Sequence, residues 1–466
     1  MAKSTRVKST DARHYGGAVR SSDETSVMEV ERRGSVRWFE LNYNSKEEDT
    51  LNSTKPFMIS KQLVMKAYQL VKSNQGAAGI DQQSLADFDK HLKDNLYKIW
   101  NRISSGTYFP PPVKAVTIPK KSGGERILGI PTVSDRIAQM VVKLTFEPTV
   151  EPHFHKDSYG YRPNKSALDA VGVTRQRCCQ YDYVCEFDIK GLFDNLDHTL
   201  LMKAVMKHTD NKWVILYIER WLKTPMQRDD GTLVERTRGT PQGGVISPVL
   251  SNLFLHYVFD IWMGQQHPGQ PWCRYADDGL VHCKTEQEAQ GILVSLKGRF
   301  AACGLELHPE KTKIIYCKDG KRRKHSPTTK FTFLGYDFRS RSSLNSKTKE
   351  IFGNFSPAVS DMAAKSMRMH IRRSGIRNRS DLSLQEIAAQ YNPILRGWIN
   401  YYGCYYRTRL NSVMLHFNKV LTAWAMHKYR KFRGHKTKAS LFIIKVQKEN
   451  PQLFSHWKCG LGIGFA

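Results

Sequence analysis

Three carboxylates have the residue type and the arrangement that could bind divalent metal ions. Asp277 and Asp278 are adjacent and lie between two short apolar segments, and Asp188 lies upstream at the end of another such segment. Mg²⁺ prefers carboxylate and phosphate oxygens, and it relieves the repulsion within a group of acids. Three carboxylates could hold two metal ions, which would lower the pKa of an attacking 3′-hydroxyl and neutralise a leaving pyrophosphate. We therefore expect these three residues to be catalytic.

Two predicted β segments would have to position these acids. Residues 184–189 have the alternation of a half-exposed strand, with Phe187 on the apolar side and Asp188 at the end of the polar side. Residues 272–283 predict a hairpin of two short strands whose tip holds the two adjacent acids. Taken alone, Asp-Asp-Gly is typical of a solvated turn. The catalytic interpretation therefore requires that the two segments come together.

The charge of the chain indicates a polyanionic partner. Its 466 residues contain 72 Lys and Arg against 43 Asp and Glu, a formal net charge of +29. A nucleic acid would neutralise this charge, and a basic ribosomal or membrane-surface protein is the alternative. No apolar run approaches the ~18 residues that span a bilayer, which argues against a membrane partner. With 40% hydrophobic residues, the chain is expected to form two or three domains.

The cysteines and the N-terminal segment bear on the cellular compartment. Nine cysteines are scattered through the chain without a Cys-x-x-Cys pair, which argues against disulfides or a zinc module and favours a reducing cytoplasm. Residues 1–54 are polar and aperiodic, which predicts a mobile basic leader that becomes ordered on RNA. The leader lacks the apolar core of a secretory signal, and its acidic residues favour a bacterial cytoplasm over an organelle.

The packed part of the chain is predicted to begin near Pro56 with helices. Apolar residues recur at helical spacing between Ser60 and Lys72, with Ser60 as the N-cap. A second helix with Leu96 and Ile99 on its buried face should follow. Residues 110–112 are three consecutive prolines. The short β-like segments and glycine turns that follow them indicate a change of subdomain.

Three segments resemble the motifs of reverse transcriptases, in the same order and with similar separations. Tyr275–Asp278 resembles their Tyr-x-Asp-Asp box, and Phe187–Asp194 resembles their first palm motif. Between the two, Gly239–Pro248 is similar to the Pro-Gln-Gly loop that the family places over the incoming nucleotide. The resemblance implies an RNA-directed DNA polymerase that binds two Mg²⁺ ions through the three acids and the backbone carbonyl of Ile189.

The resemblance also implies a set of residues that bind the dNTP. Residues 118–131 are similar to the fingers hairpin of the family, in which Lys120 and Arg126 match the positions that contact the triphosphate. Phe193 falls where the family has an aromatic residue that would clash with a ribose 2′-hydroxyl, so the product would be DNA. Gln242 belongs to the Pro-Gln-Gly loop. Without the resemblance, each of these residues would be interpreted as an ordinary surface or core position.

Four further segments extend the resemblance and define the subfamily. Gly304–Lys313 and Phe333–Tyr336 look like the last two palm motifs, and the resemblance implies that the Leu-Gly hairpin of the second motif positions the primer. Phe154–Pro163 and Tyr391–Tyr402 resemble the corresponding segments of group II intron-encoded reverse transcriptases, also called maturases. The implied fold is α+β, a right-hand polymerase whose fingers and antiparallel palm sheet occupy residues 55–340. A helical thumb or X domain would occupy residues 341–466.

The C-terminal part contains a helical pattern and a basic cluster. Ile387, Trp398 and the apolar residues between them share one helix face and should pack a helical bundle, although Pro393 and Gly397 should bend or interrupt that helix. RNA binding is expected from six basic residues interleaved with Tyr429 and Phe432, which would stack on bases. The six residues are Lys428, Arg430, Lys431, Arg433, Lys436 and Lys438.

These observations predict a protein that binds its group II intron RNA, assists splicing, and extends a DNA primer on an RNA template. No Cys-pair and His array of the family's nuclease is present, so we expect no endonuclease and priming on an existing DNA end. Dimerisation cannot be inferred from the sequence. Two alternatives stay open: a reverse transcriptase recruited to phage defence or diversity generation without splicing, and an RNA-binding splicing factor with an inactive polymerase.

Overall fold

The computed structural model describes residues 55–119, 124–344 and 347–462. The predicted leader, residues 1–54, and the predicted nucleotide-binding residue Lys120 lie outside these ranges. The described chain forms two compact units. The larger unit contains the described residues up to 334 together with 338–356, and the smaller unit contains 335–337 and the described residues from 357 onward.

The first half of the larger unit is mainly helical. Its elements are α1 (Lys61–Asn74), α2 (Leu85–Lys90), α3 (Leu92–Ser104), β1 (Val113–Pro119), β2 (Glu125–Ile130), α4 (Val133–Val150), α5 (Ala167–Gln180), β3 (Tyr183–Asp188), α6 (Leu192–Asn195), α7 (His198–His208) and α8 (Lys212–Lys223). Ser60 caps α1 as predicted, because its Oγ accepts a hydrogen bond from Leu63 N at 3.1 Å. The predicted second helix is α3, which buries Leu96 and Ile99.

The next elements along the chain include most of the strands, and the last two strands extend into the smaller unit. These elements are β4 (Met226–Gln227), β5 (Leu233–Val234), α9 (Ser247–Leu255), a π-helical turn (His256–Asp260), α10 (Ile261–Gln266), β6 (Trp272–Tyr275), β7 (Asp278–Cys283), α11 (Glu286–Ala302), β8 (Lys313–Tyr316), β9 (Lys330–Phe333), β10 (Tyr336–Leu344) and β11 (Ile351–Val359). Within the described ranges the strands form three sheets, with strand orders β2-β1-β4-β5, β6-β7-β3-β8 and β11-β10-β9.

The sheet β6-β7-β3-β8 is antiparallel at every strand pair. Its strand β3 is an inner strand, and the alternating side chains Val184 and Cys185 are both fully buried. The prediction of a half-exposed strand is therefore wrong. The physical reason is that helices pack on the sheet, with α11 against β3 and α5 against the neighbouring strands β6 and β7, and side chains on both faces of β3 are buried.

The smaller unit is a helical bundle. Its helices are α12 (Asp361–Arg373), α13 (Leu384–Tyr402), α14 (Thr408–Lys428), α15 (Lys436–Glu449) and α16 (Ser455–Lys458). Ile387 and Trp398 lie in its hydrophobic core, as the helical spacing predicts. Of the predicted bend or interruption at Pro393 and Gly397, the interruption is wrong, because α13 is continuous through both residues. The lost hydrogen bond and the ring clash of Pro393 cost about 3 kcal/mol, which the buried apolar face of α13 offsets.

The arrangement confirms the α+β fold with an antiparallel palm sheet followed by a helical C-terminal region. Each unit has its own hydrophobic core. Among the described helices, none combines the length and the apolar character needed to cross a lipid bilayer.

Candidate active site

The pairing of β3 with β7 brings the three predicted acids to one end of the antiparallel sheet. Asp188 is the last residue of β3, and its Cα partner across the ladder is Asp278, the first residue of β7. Tyr275 also pairs with Asp278, so Ala276 and Asp277 form the two-residue turn between β6 and β7. The Ile189 N–H donates to the Asp277 carbonyl at 3.2 Å, which fixes the turn beside the end of β3.

The turn itself adopts an uncommon backbone conformation. Ala276 has a φ of +55°, which a residue with a Cβ rarely adopts. Of the two turn residues only Ala276 has a positive φ, as in a type II′ hairpin turn, where glycine usually occupies this position. The hairpin predicted from the sequence is therefore present, and its tip is held in a costly conformation.

The acids lie in a less polar environment than a solvated turn would give them. Asp188 is 8% exposed, and the other two acids are half-buried. Burial, together with the negative charge of Asp188, raises the pKa of Asp277 to about 6. Burial and the charges of Asp277 and Asp188 also raise the pKa of Asp278 well above its ordinary range. A bound cation would reverse these effects, and carboxylate oxygens are the donor type that Mg²⁺ prefers.

Lys311 contacts this group of acids, and the sequence alone did not identify it as functional. Its Nζ lies 2.7 Å from Asp188 Oδ2, although the side chain is 52% exposed. The same segment donates the His308 N–H to the Asp188 carbonyl at 2.8 Å. Lys311 was visible in the sequence only as part of the Gly304–Lys313 motif, which gave no reason to place it beside Asp188.

The predicted fingers hairpin is formed by β1 and β2. Ile118 and Arg126 are Cα partners in this antiparallel pair, and Arg126 is half-buried. The positive charge of Arg126 opposes the rise in the pKa of Asp277, so the guanidinium acts on the acid at the turn. Its predicted companion, Lys120, lies outside the described residues.

Phe193 and Gln242 lie on two segments that are hydrogen-bonded to each other. The Thr240 N–H donates to the Phe193 carbonyl at 2.6 Å, and Gln242 Nε2 donates to Asp194 Oδ2 at 3.1 Å. The half-buried Phe193 ring meets the Tyr161 ring edge to face, with centroids 6.2 Å apart. The Gln242 loop also reaches the fingers hairpin, because the Gly129 N–H donates to the Gln242 carbonyl at 2.7 Å.

A buried polar network fixes this loop, and sequence analysis missed it. Gln139 Oε1 accepts from Val245 N at 2.7 Å and from Ile246 N at 3.3 Å, just before α9 begins. Gln139 Nε2 donates in turn to Asp135, which is buried and also accepts from Trp221 Nε1. The only sequence signal was two polar residues four positions apart on an otherwise apolar helix face.

The basic C-terminal cluster differs in part from its prediction. Lys428 is half-buried and donates to the carbonyls of Ser380 and Leu382 at 3.0 and 2.8 Å. Phe432 is only 9% exposed and packs against Phe442, so it cannot stack on a base. Its predicted role in base stacking is therefore wrong, because α15 covers the ring. The other five predicted RNA-binding residues are exposed: Arg430, Lys431, Arg433, Lys436 and Lys438.

Two family models match this chain. Residues 118–338 match the reverse transcriptase (RNA-dependent DNA polymerase) family, and residues 364–440 match the maturase-specific domain of group II introns. The first match contains the three acids, Arg126, Phe193 and Gln242. The second match contains α13, α14 and the basic cluster.

Individual relatives agree with these matches. Protein YkfC of Escherichia coli is 30% identical over 58% of this chain and 78% of its own length. The group II intron-encoded protein LtrA of Lactococcus lactis is 27% identical over 74% of this chain and 69% of its own length. A putative COX1/OXI3 intron 1 protein of Saccharomyces cerevisiae is 26% identical over 58% of this chain. The chain therefore belongs to the family of group II intron-encoded reverse transcriptases, and it is an RNA-directed DNA polymerase with a maturase domain.

Proposed function

We propose that this reverse transcriptase binds the RNA of its own group II intron, promotes the splicing of that RNA, and copies it into DNA during retrohoming. The observation that supports the polymerase step is the pairing of Asp188 with Asp278 beside the turn that holds Asp277. The match of residues 364–440 to the maturase-specific domain supports the splicing step. On this proposal the larger unit supplies the fingers and palm, and the smaller unit supplies the thumb or X domain.

The proposed metal ligands are Asp188, Asp277, Asp278 and the backbone carbonyl of Ile189. Two bound Mg²⁺ ions would activate the primer 3′-hydroxyl and stabilise the charge that develops on the triphosphate. The chain holds the acids on two paired strands and a short turn, so they are preorganised before any ligand binds. Because burial and mutual repulsion raise the pKa values of Asp277 and Asp278, protons compete with a cation for these acids more strongly than for ordinary carboxylates.

The proposed dNTP site combines residues from the fingers and the palm. Arg126 would bind the triphosphate with Lys120, because a guanidinium forms charge-assisted hydrogen bonds with phosphate oxygens. The Phe193 ring would exclude a ribose 2′-hydroxyl. Gln242 would contact the nucleotide, and its carbonyl already links the loop to Gly129 of the fingers hairpin. These contacts would select a deoxynucleotide and orient it for attack.

The proposed RNA surface includes the exposed basic residues between 430 and 438. They belong to a chain with a net charge of +29, and the charges on this segment face solvent. Phosphate contacts of this kind give affinity and orientation rather than base specificity. Selection of the intron RNA would therefore depend on the shape of the folded RNA as well as on its charge.

The experiment that tests this proposal compares two RNAs of equal length. Purified protein is mixed either with the group II intron that flanks its gene or with an unrelated structured RNA, at fixed salt. We expect the protein to bind the intron RNA more tightly than the unrelated RNA, and to make the intron splice faster than it does without the protein. Equal affinity for both RNAs, with no stimulation of splicing, would contradict the maturase role and favour a reverse transcriptase without a splicing function.

A further inference from the structure

A fully buried arginine precedes the turn that presents Asp277 and is hydrogen-bonded to it. Arg274, in β6, is 0% exposed, and its Nε and Nη2 donate to the two carboxylate oxygens of Asp260 at 2.9 and 2.8 Å. Removing both charges from water costs free energy that the attraction between them need not recover in full. A buried pair of this kind is weak evidence for stability, so its position calls for another explanation.

The third nitrogen of Arg274 connects this ion pair to the turn. Nη1 donates to the Ala276 carbonyl at 3.3 Å and to Asn252 Oδ1 at 3.1 Å. The Ala276 carbonyl belongs to the peptide group that joins Ala276 to Asp277. A planar guanidinium has five donors in a fixed arrangement and can reach all three partners together, whereas a lysine ammonium cannot.

A neighbouring segment, Tyr159 and Gly160, packs against the turn. Asn252 Nδ2 donates to the Gly160 carbonyl at 2.7 Å, and a Cβ added at Gly160 would clash with Ala276 N. The Tyr159 N–H donates to the Arg274 carbonyl at 2.9 Å. The backbone of this segment therefore lies against the turn, and Asn252 joins it to the arginine.

The local structure around Asp260 supports the same conclusion. Asp260 is the last residue of the π-helical turn between α9 and α10. Such turns insert one residue into a helix, change the direction of the following side chains, and occur frequently at functional sites. Here the Asp260 carboxylate is buried against the guanidinium, and Asn252 from α9 contacts the same guanidinium.

We infer that Arg274, held by Asp260 and Asn252, is a positioning residue for nucleotidyl transfer. It fixes the Ala276 carbonyl and so sets the backbone conformation in which Asp277 faces the metal site. The strained φ of Ala276 would relax without a partner for this carbonyl. This inference rests on the proposed role of Asp277 as a metal ligand.

The test uses two variants, one that removes the contact with the Ala276 carbonyl and one that removes the asparagine that holds Arg274 Nη1 in place. Arg274→Lys keeps a positive charge for Asp260 but cannot also reach Asn252 and Ala276. Asn252→Ala leaves the ion pair between Arg274 and Asp260 intact and removes the link to Gly160. If Arg274→Lys does not fold, the kinetics of Asn252→Ala still test the inference. The matched control is Arg322→Lys, because Arg322 is also largely buried and pairs with Asp319 at 2.6 Å. It bonds the Tyr181 carbonyl at 2.7 Å, near the opposite end of β3.

Primer extension is measured below the unfolding temperature, with activity corrected for the folded fraction. We expect kcat to fall about tenfold or more in both site variants, with KM for the dNTP within about twofold of the wild type. The Mg²⁺ concentration at half-maximal rate should rise about threefold or more, because misplaced carboxylates bind the ion less well. Arg322→Lys should change neither quantity.

A purely structural role would lower the melting temperature without moving the Mg²⁺ dependence or the corrected kcat. That result in the Arg274→Lys or Asn252→Ala variant would overturn the inference. Asp277→Asn keeps this failure distinct from failure of the proposed site. If Asp277→Asn is inactive while the two variants behave like Arg322→Lys, only the positioning role is contradicted.

Discussion

Lys311 Nζ lies 2.7 Å from Asp188 Oδ2, so a lysine already neutralises one of the three clustered acids. Without metal, this contact reduces the repulsion that Asp277 and Asp278 impose on Asp188. Bound Mg²⁺ would also neutralise the negative charge of Asp188. Lys311 and a metal bound by the proposed site would therefore have partly redundant electrostatic roles in the stability of the folded protein.

The first prediction concerns this redundancy. Lys311→Met should destabilise the protein by about 1 kcal/mol or less in EDTA, because the half-exposed lysine is partly screened by solvent. The loss should shrink when Mg²⁺ is added, since the cation then neutralises Asp188. Thermal unfolding of wild type and variant with and without Mg²⁺ measures both values. An identical loss under the two conditions would show that Lys311 does not share this role with a metal.

The second prediction concerns selection of the sugar. Phe193→Ala should raise the incorporation of ribonucleotides relative to deoxynucleotides about tenfold or more, because the ring would no longer clash with a 2′-hydroxyl. Tyr161 packs against Phe193, so Tyr161→Ala should weaken selection partly, and Tyr161→Phe should retain it. Single-nucleotide extension with each ribonucleotide and its matching deoxynucleotide gives the ratio of the two incorporation rates. Unchanged rejection of ribonucleotides by Phe193→Ala would place the sugar contact elsewhere.

The third prediction separates two lysines of the basic C-terminal cluster. Lys436 is exposed, so Lys436→Gln should lower the slope of log affinity for RNA against log salt by about 0.7 to 0.9. Lys428 instead holds two backbone carbonyls, so Lys428→Gln should lower the melting temperature and leave the slope nearly unchanged. Filter binding at several salt concentrations and thermal unfolding distinguish the two effects. A slope unaffected by Lys436→Gln would remove this residue from the RNA surface.

The fourth prediction is a pH dependence of stability in the smaller unit. His456 is fully buried, and its Nε2 must donate to Asn418 Oδ1 at 2.8 Å because that oxygen can only accept. Burial lowers the pKa of His456 from 6.5 to about 3. Between these values the unfolded chain binds the proton and the folded chain does not, so the stability is full above pH 6.5 and is lost as the pH falls. At pH 5 the expected loss is about 2 kcal/mol.

The variant His456→Gln tests this assignment because it cannot titrate. Its unfolding free energy should fall less between pH 7 and pH 5 than that of the wild type, while the exposed His435→Gln should keep the wild-type slope. Denaturant unfolding at the two pH values measures the difference. Equal pH slopes for wild type and His456→Gln would mean that another group causes the acid sensitivity.

The structure brings together the three acids that the sequence singles out, whereas the contacts around them were not predicted. The acids, the hairpin and the Pro-Gln-Gly loop are contiguous motifs, so local residue order was enough to find them. Arg274 precedes the hairpin tip by two residues, yet its burial depends on Asp260 and Asn252 from α9 and the following turn. A pattern of period two also could not show that the polar side of β3 is covered. Such contacts depend on tertiary packing, which no local pattern specifies.

The basic C-terminal cluster is a second case in which tertiary contacts could not be predicted from the sequence. A run of lysines and arginines with aromatic residues between them is a common pattern for RNA contact. The pattern cannot show that Phe432 is packed against Phe442 from the next helix, with ring centroids 5.2 Å apart. It also cannot show that Lys428 is already bonded to two carbonyls. The positive charge of the cluster was predictable from the sequence, whereas the accessibility of each side chain to RNA was not.

The central claim is that Asp188, Asp277 and Asp278 perform nucleotidyl transfer, and Asp277→Asn tests it most directly. This change removes one negative charge while keeping the size of the side chain, and exposed Asp229→Asn is the matched control. With Mg²⁺, dNTPs and a primed RNA template, Asp277→Asn should lower extension about a thousandfold or more, with RNA affinity within about twofold of the wild type. Extension close to that of Asp229→Asn would contradict the account.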